Sequence, residues 1–229
     1  MKATGGPCAP RTMLIQATRA HSFQHRARDC SIHLALGLLI FLLVSCAVHD
    51  TQHHIVISTR EQKLAVLDRG NLMAVYPIST SKFGLGDWRS SYRTPLGELE
   101  VADKVGAGAE PGTVFKDLRR TGEVVGPDAP GRDPIVTRIL WLRGREARNA
   151  NAFGRHIYIH GTPEERNIGL PVSYGCIRMR SSDVINLYNA VGLGARVTIV
   201  DAPLTSVIPG LSSGTQMAQS NTGTMVIGR

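Results

Sequence analysis

The sequence predicts a mainly β domain with long loops and one late α-helix. Three observations carry that prediction. Short apolar runs of alternating polarity recur between Ile55 and Val200, which is the period of a half-buried strand. Glycine is frequent, at 24 of 229 residues, while aromatic residues make up only 5%, a balance that suits strands and turns better than a helical bundle. Helical spacing appears once, after Met179. The length allows one domain with a substantial core plus extensions. Periodicity alone leaves a sandwich and a barrel equally open.

Residues 1–46 read as an export signal. Scattered arginines lead into Ile32–Cys46, whose apolar run from Leu34 to Val44 is short for a bilayer span but fits the hydrophobic region of a signal peptide. The segment closes on Leu43-Val44-Ser45-Cys46, which resembles a bacterial lipobox and makes Cys46 the expected site of lipid attachment. The expected location is therefore the periplasm or cell envelope, with the chain held at a membrane by lipid. Residues 47–52 follow as a tether.

Charge and cysteine usage fit the same division. The first 46 residues hold Lys2, Arg11, Arg19, Arg26 and Arg28 against Asp29 alone, so half of the formal charge of +8 belongs to the signal. What remains is a mildly basic domain without a long Lys/Arg run, which argues against a nucleic-acid partner and suits anionic wall polymer or lipid head groups. Cys8 and Cys30 leave with the signal and Cys46 carries lipid, so Cys176 is the one thiol expected in the mature chain. An exported chain with a single thiol has no disulfide framework, and that thiol is either an inert core residue or a reactive one.

The elements follow in order. Strand runs occur at Ile55–Ser58, Lys63–Asp68 and Leu72–Ile78, with Arg69-Gly70-Asn71 as a hairpin turn, giving a β-meander. A glycine-rich loop leads to Thr94-Pro95 and Gly97, which mark a turn before a strand at Glu98–Ala102. Residues 106–134, rich in glycine, proline and charge, read as a long surface loop. Strand character returns at Pro134–Leu142 and His156–His160. Ser181 or Ser182 is placed to cap the helix, Val184, Leu187, Tyr188 and Val191 form its apolar stripe, and Gly192 or Gly194 ends it. Arg196–Val200 is the last strand, closing a domain at 53–201, and residues 202–229 read as a disordered tail.

The stretch "IHGTPEERNIGLPVSYGCIRM" carries the chemistry. A cysteine nucleophile needs a base within hydrogen-bond reach, and His160 closes an apolar strand whose following glycine, Gly161, permits close backbone approach. Fifteen residues separate His160 from Cys176, and Thr162-Pro163, Gly169 and Pro171 imply a loop that folds back. Beyond the thiol, Ile177 and Met179 alternate with Arg178 and Arg180, so one face is buried while the arginines face substrate or solvent. Two further ligands for a zinc ion are missing nearby, so no metal and no cofactor is expected.

These residues resemble the catalytic signature of the YkuD-type L,D-transpeptidases, an HGT element followed by S-H-G-C-[IV]-R-[ML]. "RTPLGELEV" and "VGLGARVTIV" resemble other parts of the same family, and the likeness covers roughly residues 53–201. The resemblance implies a β-sandwich-like catalytic domain. It makes Cys176 the nucleophile, His160 its base, and the Gly161 carbonyl the group that orients the imidazole. Backbone N–H groups around Gly175 and Cys176 would stabilise the oxyanion, Ser173, Tyr174, Gly175 and Tyr158 would contact substrate, and Arg178 would either contact substrate or serve the structure. One position departs, because Tyr174 stands where the family usually has histidine.

The implied reaction acylates Cys176 on the third residue of a peptidoglycan tetrapeptide stem, releases D-alanine, and transfers the acyl group to an amine. That amine belongs to another stem or to a wall protein, in the service of wall biogenesis and cell shape. Two alternatives keep the same fold: an L,D-carboxypeptidase or hydrolase in which water resolves the thioester, and an inactive wall-binding lipoprotein, which Tyr174 motivates.

Overall fold

A computed structural model describes residues 49–211. Cys46, the rest of the signal segment, the start of the tether and residues 212–229 lie outside the described residues.

The predicted meander is β1 (His53–Ser58), β2 (Lys63–Asp68) and β3 (Asn71–Pro77), paired antiparallel. Arg69 and Gly70 both have positive φ, 47° and 84°, the backbone that a tight hairpin turn between right-twisted strands requires. The last strand, β10 (Arg196–Val200), lies parallel to β1 with Ile55 opposite Val197. Beyond it come β4 (Gly97–Val105) and then β7 (Ile135–Gly144), both antiparallel to their neighbours. At β7 the sheet forks. One branch carries β5 (Thr113–Lys116) and β6 (Arg119–Val124), and the other carries β8 (Tyr158–Gly161) and β9 (Ile177–Met179).

The protein is mainly β, as the sequence predicts. The main core draws Ile55, Ile57, Leu64 and Val66 from one end of the sheet and Leu140, Ile159, Ile177 and Met179 from the other. One continuous hydrogen-bonded sheet thus surrounds the core. Alternation within each strand decides which side chains enter it: Ile55 and Ile57 face this core, whereas Val56 between them faces a second cluster. The helix α1 (Ser181–Ala190) adds Val184, Leu187 and Tyr188 to the main core.

Four expectations need correction. The surface loop predicted at 106–134 contains the β5–β6 hairpin, turned by Asp117 and Leu118 at positive φ, with Val114 and Phe115 buried. Neither serine caps α1: Arg180 is the N-cap residue, and Glu165 reaches across from another segment to accept the Ser181 N–H at 2.8 Å. The helix ends at Val191, before the glycines. The chain from Ala202 does not become a tail at once, since α2 (Leu204–Val207) packs Leu204 and Ile208 on Val56, Ala65 and Leu67. At the other end Asp50 is fixed to the domain, accepting from the backbone N–H groups of Gly192 and His53.

Candidate functional site

The parallel pairing of β8 and β9 brings the two sequence-distant residues together. Ile159 lies opposite Ile177 and His160 opposite Arg178. Ile159, Ile177 and Met179 point into the main core, so Tyr158, His160, Cys176 and Arg178 share the other face of this strand pair. His160 is the diagonal neighbour of Cys176 on that face. The intervening loop is anchored where the sequence places its turns, with the Gly169 N–H on the Ile78 carbonyl and the Ser173 N–H on the Thr80 carbonyl.

His160 is buried, and its Nδ1 lies 2.8 Å from the Gly161 carbonyl oxygen. A carbonyl only accepts, so Nδ1 carries the proton and Nε2 presents a lone pair. Gly161 has a steric reason to be glycine: a Cβ there would stand 2.7 Å from the Val136 carbonyl oxygen. That carbonyl belongs to an irregular step in β7 between Val136 and Ile139, where Thr137 takes φ +71°. The backbone orienter of the base is therefore held by the bulge of the neighbouring strand.

The turn that presents the thiol is held from three sides. Ser173 Oγ donates to the Cys176 carbonyl at 2.6 Å and accepts the Gly175 N–H at 3.2 Å. Thr94 Oγ1 donates to the Gly175 carbonyl at 3.0 Å. Gly175 takes φ +120°, a conformation closed to other residues at low strain. Cys176 is a free thiol, partly open to solvent, whose Sγ donates to the His156 carbonyl at 3.3 Å. His156, which the sequence analysis placed in a strand, sits at φ +57° in the turn before β8.

Burial pushes the Cys176 thiol pKa up, against the opposing pull of a hydrogen bond from the Tyr158 backbone and the charges of Arg178 and Arg155. Burial also lowers His160 to about 4, the Gly161 carbonyl pulling the other way and Arg178 adding to the fall. At neutral pH the resting pair is a thiol beside a neutral imidazole.

Cys176 opens onto a cavity of about 570 Å³ lined also by Arg89, Ser90, Tyr92, Ala150, Asn151, Gly154, Arg155, Ile157 and Tyr174. Arg155 clamps its wall: Nη1 pairs with Asp87 at 2.7 Å and Nη2 donates to the Arg93 carbonyl at 2.6 Å. Asp87 also accepts the Asn151 N–H at 2.6 Å, so the 84–94 loop is fastened to the 150–155 segment. On the rim Tyr174 is 56% exposed, takes a hydrogen bond from Lys82 Nζ at 3.0 Å, and lies near the rings of Phe83 and Tyr92.

Of the residues expected to contact substrate, Tyr174 alone lines the cavity, together with Cys176. Arg178 is buried and paired with Asp133 at 2.5 Å and Glu164 at 3.5 Å, so it locks the fold. Ser173 is buried and knits the nucleophile turn. Gly175 shapes that turn, and its N–H is engaged by Ser173, which removes it from the expected oxyanion donors. Tyr158 is buried against Trp141, with its hydroxyl pKa pushed up by burial. Arg89, Tyr92 and the Asp87–Arg155 clamp are not among the residues the sequence predicts for the site. Their one sequence signal is a run of polar and aromatic residues inside a glycine-rich loop. Among the described residues no group of three His, Cys, Asp or Glu side chains converges as a metal site.

The family model for YkuD, the L,D-transpeptidase catalytic domain, matches residues 52–199. YqjB of Bacillus subtilis, which carries an L,D-transpeptidase name, is 32% identical over 148 residues, 65% of this chain and 71% of its own length. YbiS of Escherichia coli, named likewise, is 30% identical over 163 residues, 68% of this chain. The chain covers 47% of YbiS, about half of that relative. Among solved structures, L,D-transpeptidase 3 from Mycobacterium tuberculosis in complex with a faropenem-derived adduct has a TM-score of 0.43 at 21% identity, covering 65% of this chain and 60% of that one.

Proposed function

The chain belongs to the L,D-transpeptidase catalytic domain family, and on that premise we propose that it forms a thioester on Cys176 with a peptidoglycan stem peptide and transfers the acyl group to an amine. The observation that carries this reading is the shared face of β8 and β9: Cys176 opens onto the cavity, and diagonal to it stands an imidazole whose Nδ1 is pinned by Gly161.

The sulfur attacks the carbonyl of the third stem residue as its proton passes to His160 Nε2. The tetrahedral intermediate collapses with cleavage of the C–N bond, His160 returns the proton to the departing D-alanine amine, and a C–S bond remains. An acceptor amine then attacks the thioester, gives its proton to His160, and expels the sulfur, which is reprotonated. Negative charge on the carbonyl oxygen meets the Cys176 N–H, since the Gly175 N–H is engaged elsewhere. We also read Ile32–Cys46 as an export signal with lipid attachment at Cys46, which would place this chemistry in the periplasm or cell envelope.

Purified protein incubated with tetrapeptide muropeptides tests the reading. The expected outcome is a thioester adduct in the intact mass and cross-linked dimers in the product. Both should disappear in Cys176→Ala, with turnover falling at least about 10³-fold. Shortened stems without dimers would turn the assignment to the hydrolase. A wild-type protein that a carbapenem fails to acylate would make the domain a binding module.

A further inference from the structure

Two arginines line the cavity, and among the described residues Arg89 is the one of them without a partner. Arg155 is half-buried, with both terminal nitrogens on Asp87 and on the Gly86 and Arg93 carbonyls. Arg93 stacks its guanidinium on Trp88 at 4.7 Å and donates to the Leu85 carbonyl. Lys82 serves the Tyr174 hydroxyl and lies over its ring. Arg89 lines the same cavity as Cys176, is exposed, and among the described residues makes no hydrogen bond or ion pair. The loop that carries it is not slack. Ser90 and Tyr92 beside it both line the cavity at positive φ, 58° and 54°, a conformation that non-glycine residues hold only when their surroundings enforce it.

We infer that Arg89 is the carboxylate anchor of the acyl-donor site, receiving the terminal α-carboxylate of a peptide whose last residue is the leaving group. The inference rests on the proposed reaction and narrows its substrate class. When the last residue departs, its carboxylate lies about one residue length, ~3.8 Å, beyond the attacked carbonyl, and Cys176 and Arg89 line the same cavity. A planar guanidinium with free donors matches a carboxylate in two parallel hydrogen bonds. Among the described residues no carboxylate side chain lines this cavity to compete with the substrate for it. The anchor therefore selects stems with a free C-terminus over stems whose last carboxylate is already in amide linkage.

Binding in the Cys176→Ala background, which prevents turnover, tests the anchor independently of the chemistry. The probes are a tetrapeptide stem with a free terminal carboxylate and the same peptide as its C-terminal amide, measured by calorimetry. Loss of a charge-assisted hydrogen bond, ~1.5–3 kcal/mol, corresponds to roughly 10- to 100-fold in affinity. Arg89→Gln should weaken the carboxylate peptide by that factor and leave the amide peptide unchanged, while Arg89→Lys recovers part of the loss. Equal affinities for the two peptides in the Arg89 protein, an equal loss for both in Arg89→Gln, or binding of neither would overturn the anchor. If selective binding holds but wild-type protein releases no terminal residue, the anchor stands and the proposed reaction falls.

Discussion

The strand pair β8–β9 and the rim loop from Asp87 to Arg93 meet at one cavity yet are built in opposite ways. In the strand pair the polar side chains have fixed partners: His160 with Gly161, Arg178 with Asp133 and Glu164, and Ser173, in the turn before β9, with the Cys176 carbonyl. On the rim Trp88, Tyr92 and Tyr174 are each 56% exposed, and Arg89 is unpartnered among the described residues. On the proposed function, chemistry that depends on sub-ångström placement would sit on hydrogen-bonded strands, while recognition would sit on a loop clamped at its base by Arg155 and Asp87. Changes in the strand pair should therefore damage stability and acylation together, and changes on the rim should alter peptide choice.

The largest effect is expected at Arg178. Arg178→Gln leaves Asp133 without its buried cation, and breaking a buried pair this way costs about 3–5 kcal/mol. Urea unfolding should show that loss. Because Arg178 is absent from the cavity wall, KM for a stem peptide, measured on the folded fraction, should hold. A raised KM with unchanged stability would break the division between the two regions.

Gly161→Ala comes next. The added methyl meets the Val136 carbonyl oxygen at 2.7 Å, and overpacking of this kind costs roughly 1–3 kcal/mol. The same shift displaces the carbonyl that holds His160, so acylation by a carbapenem should slow by more than the loss of folded protein explains. Stopped-flow acylation set beside a urea curve separates the two contributions.

Over any single pH unit His160 supplies a smaller, pH-dependent effect. Its pKa falls from 6.5 to about 4 on folding, so between those values the unfolded chain binds more protons than the folded one. The contribution is complete above pH 6.5 and is lost as pH falls toward 4, at up to ~1.4 kcal/mol per pH unit. Unfolding curves at pH 4.5, 5.5 and 6.5 should show wild type losing stability faster than His160→Asn. Parallel slopes would mean that the imbalance lies elsewhere.

These contrasts also explain what the sequence could reveal. The meander, the β4 and β7 strands and α1 were legible because alternation and helical spacing are local. The β5–β6 hairpin was hidden because β6 is exposed along its whole length and so has no apolar period to read. The Glu165 contact that satisfies the start of α1 and the Asp87–Arg155 clamp span chain separations that no local pattern encodes. Arg178 stayed open between substrate and structure for the same reason, since alternation gives the face a residue occupies but not the partner waiting there.

Tyr174 should give the smallest effect. The turn around it is set by Ser173, Thr94 and the φ of Gly175, none of which depends on the identity of the side chain at 174. Its own contacts are a Lys82 hydrogen bond at the surface and two ring neighbours 5.6 and 6.1 Å away. Tyr174→His, which installs the residue usual in the family, should change stability by no more than about 1 kcal/mol. It should leave the carbapenem acylation rate within ~threefold, a barrier change of under about 1 kcal/mol. Its effect should appear in KM, because the ring forms part of the cavity wall. An acylation rate altered tenfold or more would place the side chain in the proton transfer itself, and the rim could then no longer be regarded as a surface for recognition alone.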